Sequence, residues 1–318
     1  MENKDDLYET KGLRGILKIA FLRLVRFYTF NTPISKGKYR FYQTALNMLK
    51  AKPQALRTQI RDGRTFVADL TTGMEETVFF IGEYEKSISE ITSEMIAAGD
   101  TCIDVGANFG WYTTLMSMRS GKDGATHSFE PVPRTYIGLS RNCKLLTYPQ
   151  NVHVNNLALG DTKGRVVVNQ FDDLPTGHAS IATKDGSHMS SFECSMVTLD
   201  SYLEENNVAD VAFVKVDIEG SEMMFLKGAD RLFKQTVPPV FLMEMALQQT
   251  SFFGYIPDDL IRYIGEQAEY LFYKVEEGPG HLIRIDGFEK DDIGANVFCV
   301  PASAKEEIHM VVQKYLAV

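Results

Sequence analysis

From Thr101 onward the chain alternates short apolar runs with helical stretches. Thr101–Val105 reads as a strand, followed by a Gly-containing turn and a helix over about 111–119. Ala125–Phe129 is a second strand, 133–146 a helix with Pro in its first turn, and 152–155 a third strand. Residues 165–171 and 192–197 read as extended strands outside this alternation. The run 211–216 is apolar apart from Lys215, and 221–233 is helical. Strands at 240–243, 270–275, 282–285 and 296–300 and a helix at 258–268 complete the series. Strands alternating with helices imply an α/β fold, a doubly wound parallel sheet with helices on both faces.

The first part of the chain is different. Residues 11–30 have helical periodicity. Leu13, Ile16, Leu17, Ala20, Phe21, Leu24, Phe27 and Tyr28 form one broad apolar face, and Lys11, Arg14, Lys18, Arg23 and Arg26 lie opposite. Leu22 and Val25 fall on the basic side. The apolar face is expected to pack on the body or on a second subunit; contact with an anionic membrane surface is the alternative. A short helix at 39–50 and a hairpin turning at Asp62-Gly63 follow, then a helix at 87–98.

Charge sharpens that division. The 318 residues carry a net charge of −9, but residues 1–60 hold 12 Lys/Arg against 4 Asp/Glu. An acidic body repels phosphate and argues against nucleic-acid binding. Every long apolar stretch is broken by charge, so no segment is expected to span a bilayer, and residues 1–10 lack the pattern of a secretory signal. Four scattered cysteines with no CxxC pair suggest reduced thiols and a cytoplasmic protein, with peripheral membrane contact through residues 11–30 as the variant.

The chemistry concentrates at strand ends. Asp104 ends the strand before Gly106, Asn108 and Gly110, at the place where open α/β sheets bind ligands. A carboxylate there disfavours pyrophosphate, and the run departs from G-x-G-x-x-G, which counts against the alternative of an NAD-dependent oxidoreductase. Glu130 ends the next strand, where an acid can accept hydrogen bonds from both ribose hydroxyls. An amine-bearing nucleoside without phosphates, S-adenosyl-L-methionine, fits this pair. Asp217, Glu219 and Glu222 follow the strand at 211–216, where acids could orient a sulfonium ligand, take a proton or bind a metal. No metal ligand set is assigned. Glu219 and Glu222 have a plainer reading as the acidic first turn of a helix. His178, in a loop, and Glu244 join Asp217 and Glu219 as candidate general bases.

These blocks, in this order, resemble the FkbM-type S-adenosylmethionine-dependent methyltransferases. The resemblance covers about 79–244 and rests on FIGEYE at 80–85, IDVGANFGWYT at 103–113 and FEPVP at 129–133. LSRNCKLL with Leu139 and Asn142, LALGD at 157–161, VTLDSYL at 197–203 and FVKVDIEGSEMMFLKGA at 213–229 complete it. It implies a class I methyltransferase domain at 71–318, Rossmann-like, with a seven-stranded mostly parallel sheet whose last strand is antiparallel. Residues 1–70 would then be an N-terminal helical extension and hairpin. It also implies site roles. Asp104, Gly106, Asn108 and Gly110 would cradle the methionine part of the cofactor, and Glu130 the ribose. Asn156 and Leu157 would flank the adenine, Asp217 would sit near the amino group or methyl donor, and Glu85 would close over the site. The implied reaction is O-methylation of a sugar, glycan, glycolipid or natural-product hydroxyl. A catalytically inert scaffold working through its basic helix, and a homo-oligomer, stay open.

Overall fold

The computed structural model describes residues 13–32, 37–49, 55–171, 179–180, 189–276, 278, 280–289 and 292–317. They fall into two compact units, one running to Tyr84 and the other starting at Glu85.

The N-terminal unit contains α1 (Leu13–Asn31), α2 (Lys38–Asn47), the antiparallel hairpin β1 (Leu56–Gln59) and β2 (Thr65–Ala68), and α3 (Gly73–Ile81). The sequence pattern does not reveal α3. A Thr72 side chain that accepts from the Glu75 amide fixes its start, and Glu75 in turn accepts from the Asp69 amide at 2.8 Å. The face of α1 that packs within this unit is not the broad apolar one. Leu22 and Val25, which blur the stripe, are buried with Tyr42, Leu46, Phe79 and Phe80. Thr29 Oγ1 sits on the same side and donates to the Phe80 carbonyl at 2.6 Å. Burying two such side chains contributes about 1.5–3 kcal/mol each. The broad apolar face instead points outward, with Leu24 and Phe27 each 67% exposed.

The C-terminal unit is built on an eight-stranded sheet. Its parallel strands are β3 (Thr101–Val105), β4 (Ala125–Phe129), β5 (Val152–Asn155), β10 (Phe213–Val216) and β11 (Val240–Ala246). Beside β11 lies the antiparallel β14 (Gly294–Pro301), then β12 (Tyr270–Glu276), which is antiparallel to β14. These seven strands match the expected sheet. The eighth, β13 (His281–Ile285), adds antiparallel to β12 at the edge, giving the order β13-β12-β14-β11-β10-β3-β4-β5. The runs outside the alternation form a separate sheet of β6 (Ala158–Leu159), β7 (Gly164–Phe171), β8 (Ala179–Ser180) and β9 (Met189–Val197).

Helices α4 (Lys86–Met95), α5 (Trp111–Ser120), α6 (Pro133–Cys143), α7 (Leu199–Glu205), α8 (Glu222–Lys227), α9 (Asp230–Phe233), α10 (Leu247–Ser251), α11 (Pro257–Gln267) and α12 (Glu306–Tyr315) complete the unit. The helix read at 221–233 is two pieces. At Gly228, which separates them, a Cβ would fall 2.0 Å from the Gly160 carbonyl oxygen. The core gathers Ile103, Val105, Val214, Val216, Phe225, Phe241 and Met243 on and beneath the central strands. All four cysteines, Cys102, Cys143, Cys194 and Cys299, are reduced and buried.

Candidate functional site

Parallel strands end on the same side of a sheet, so the sheet collects what sequence spacing scatters. Asp104 lies in β3, Glu130 directly follows β4, Asn156 directly follows β5, Asp217 directly follows β10, and Glu244 lies in β11. Among the described residues, four non-glycine residues have positive φ. Three of them belong to this region: Glu85 (44°), Asn108 (50°) and Glu219 (54°). Left-handed backbone costs about 1–2 kcal/mol per non-glycine residue, and it clusters where a structure holds functional groups.

Asp104 is fully buried. Its Oδ2 accepts from Thr113 Oγ1 at 2.6 Å, while its Oδ1 has no hydrogen-bond partner among the described residues. Burial raises its pKa, against the pull of Lys215 and Thr113. Lys215 is a group to which the sequence pattern assigns no role. It pairs in register with Asp104 across β3 and β10, and its Nζ lies 2.8 Å from Asp217 Oδ2 and 5.3 Å from the centre of the Tyr112 ring. Burial lowers its pKa, but Asp217, Asp104 and Glu85 outweigh that and hold it above the ordinary value. A lone cation in an otherwise apolar strand was the available signal, since a buried lysine needs a partner. Tyr112 Oη donates to Glu85 at 2.6 Å, tying Glu85 to α5.

The turn after β3 is held from below. Glu130 Oε2 accepts from the Asn108 amide and Oε1 from the Val132 amide, both at 2.9 Å. This acid therefore clamps two turns, and the ribose role expected for it has to share oxygens already engaged. Asn156 Nδ2 donates to the carbonyls of Glu130 (2.8 Å) and Pro131 (3.0 Å), with Leu157 partly buried beside it. Gly106 has φ +77°, and a Cβ there would lie 1.8 Å from the Asp217 carbonyl oxygen. Its missing side chain makes room for the neighbouring strand end. Gly110, φ +95°, precedes α5. His178 lies outside the described residues.

Asp217, Glu219 and Glu244 each bring a carboxylate oxygen within 4.8 Å of the others. The Asp217 charge, then burial, then Glu219 push the Glu244 carboxyl far above the usual carboxylate range, and its side chain hydrogen-bonds Asp217. Such a cluster can be neutralised by a proton, a divalent cation or an organic cation. Glu222 stands apart. It is buried, and it accepts from the amides of Ile218 (3.2 Å) and Gly220 (3.1 Å) while Tyr255 Oη lies 3.1 Å away. It shapes the turn that presents Glu219.

Burial lifts both Glu130 and Glu222 to about 7, against the amides that pull each down. Between their ordinary value and about 7 the folded chain holds protons that the unfolded chain releases. Stability therefore falls as pH rises through that window and is lowest above it. Each tenfold difference in proton affinity between folded and unfolded chain is worth about 1.4 kcal/mol. The ligand-free protein should melt about 5 °C or more higher at pH 6 than at pH 8. Glu222→Gln should flatten that slope; an unchanged slope would mean that Glu222 titrates normally.

The family model for the methyltransferase FkbM domain matches residues 104–272, more than half of the chain. The hexuronic acid methyltransferase AglP of Haloferax volcanii is 27% identical over 184 residues, covering 56% of this chain and 71% of that protein. Methyltransferase 1 of Beauveria bassiana is 26% identical over 145 residues, covering 40% of this chain and 57% of that protein. Among solved structures, methyltransferase FkbM from Methylobacillus flagellatus aligns with a TM-score of 0.40 at 15% identity, over 91% of this chain and 60% of that one. The matched segment begins at the buried acid of β3 and runs through β10, β11 and into β12, and on that match this chain is a methyltransferase of the FkbM family.

Proposed function

We propose that the protein transfers the methyl group of S-adenosylmethionine to a hydroxyl of a sugar or sugar-bearing molecule. The observation that carries the cofactor reading is the fully buried Asp104, with an oxygen that lacks a hydrogen-bond partner among the described residues, beside the cluster of Asp217, Glu219 and Glu244, whose mutual repulsion pushes the Glu244 carboxyl up. A ligand bearing an ammonium and a sulfonium relieves both; a pyrophosphate aggravates both. AglP, named for methylating a hexuronic acid, supports a sugar acceptor.

Asp104, Asn108 and Asp217 would hold the amino-acid end, Glu130 the ribose, and Asn156 with Leu157 the adenine. When bound, the cofactor supplies an activated methyl carried on a positively charged sulfur. The protein's part is to hold acceptor and donor in line and keep water out. Lys215 Nζ lies 2.8 Å from Asp217 Oδ2 and holds that carboxylate in place. Glu244, whose carboxyl the Asp217 charge pushes up, hydrogen-bonds Asp217 and orients it. Asp217 or Glu219 is left to receive the acceptor's hydroxyl proton.

Calorimetric titration with S-adenosylhomocysteine tests this reading. The wild type should bind it and ignore NAD. Asp104→Asn keeps the shape and the bond to Thr113 while removing the charge, and should weaken binding roughly tenfold or more, as loss of a charge-assisted contact worth about 1.5–3 kcal/mol requires. Equal affinity in both proteins would place the amino-acid end elsewhere.

A further inference from the structure

The outward face of α1 is unusual for a helix that belongs to a packed unit. Ile16, Leu17, Phe21, Leu24, Phe27 and Tyr28 all exceed one-third exposure. With Phe41 of α2, four of them line an open apolar cavity of about 650 Å³. Contiguous exposed apolar surface of this kind marks an interaction site.

A second cavity of about 710 Å³ adjoins it, with Phe27 shared between the two. Its walls carry Arg23, Arg26, Arg57 and Arg61. Glu83, 3.1 Å from Arg61, is the one carboxylate paired with any of the four among the described residues. The guanidinium groups of Arg26 and Arg61 both lie against the Phe30 ring, at 4.4 and 4.5 Å from its centre. Arg26 Nε is buried without a partner among the described residues. Partial burial, then the charges of Arg61 and Arg23, push the Arg26 guanidinium below its ordinary value. These are cations crowded together with too few anions to neutralise them.

We infer that this face of the N-terminal unit docks on an anionic phospholipid surface, with the apolar side of α1 entering the acyl boundary and the arginine cavity receiving lipid phosphate. The paired surfaces select this occupant. An apolar stripe flanked by Arg14 and Arg23 is how an interfacial helix meets a bilayer. Phosphate is an anion that guanidinium forks bind in bidentate, charge-assisted fashion. A second copy is disfavoured, because it would set unneutralised arginines against their own kind. No helix among the described residues is long and apolar enough to cross a membrane, so the contact is peripheral.

Co-sedimentation of the full chain with vesicles tests the inference. Vesicles of phosphatidylcholine alone are compared with vesicles that also contain phosphatidylglycerol. Binding to the anionic vesicles should be tighter by on the order of a hundredfold, as three arginines near the surface without a carboxylate partner imply, and should weaken with salt. Arg23→Gln with Arg57→Gln should remove most of that preference. Leu24→Asp with Phe27→Asp should abolish binding to both vesicle types. All four side chains are exposed, so both variants should keep the wild-type melting temperature and affinity for S-adenosylhomocysteine. Equal partition onto both vesicle types, or none onto either, overturns the inference. So does a lipid-free dimer that Leu24→Asp with Phe27→Asp dissociates, which would assign the face to a second copy.

Discussion

Lys215→Met should lower the first melting transition by about 10 °C near neutral pH. The side chain sits in the middle of the sheet, paired in register with Asp104 and 2.8 Å from Asp217. Methionine fills the volume but leaves those carboxylates without their cation. Removing one partner of a buried ion pair costs about 3–5 kcal/mol, and a unit of this size loses about 2–4 °C per kcal/mol. The loss should shrink toward pH 5, because protonation of Asp104, whose pKa burial already raises, neutralises the orphaned charge. Thermal melts of wild type and variant across pH give both readings. A variant as stable as wild type at pH 8 would mean that Lys215 only fills space.

The second large effect is expected at Gly106. An alanine Cβ would fall 1.8 Å from the Asp217 carbonyl oxygen, and that oxygen belongs to backbone at the end of β10. Relief requires the ends of β3 and β10 to separate. Gly106→Ala should therefore cost more than about 3 kcal/mol, beyond the 1–2 kcal/mol of left-handed backbone alone. Gly99 is the control, with φ +90° and nothing within 4 Å of the place a Cβ would take. Gly99→Ala should cost only the conformational part. Denaturant unfolding of the two variants separates contact from conformation. If they lose the same stability, the approach of Asp217 is not what keeps Gly106 a glycine.

These two residues show what was legible in the sequence. A strand ending in an acid, a turn and a helix are local patterns, and a parallel sheet brings its strand ends together whatever the detail. Hence Asp104, Glu130, Asp217 and Glu244 stand out from the sequence pattern alone, as does the family. The oxidoreductase and inert-scaffold alternatives give way to methyl transfer with the family match. What escaped depends on partners distant in the chain. Lys215 gains its meaning from its register with Asp104. Gly106 is required by a carbonyl that follows another strand, and Glu130 is half occupied by amides its own strand does not contain. In α1 the periodicity located the apolar stripe correctly, but amphipathicity cannot say which face meets the protein. Phe79 and Phe80 of α3, a helix the pattern does not show, decide that.

The burial of every cysteine has a practical side. Burial pushes the Cys143 thiol up to about 12 and raises Cys102, Cys194 and Cys299 as well, so the native chain presents no reactive thiolate. A single cysteine introduced on the outer face of α1 would be the one site open to a fluorophore or spin label. The wild-type protein is in that sense already a labelling background, and a polarity-sensitive probe at position 24 or 27 would report whether that face enters an apolar surrounding without any core residue being changed.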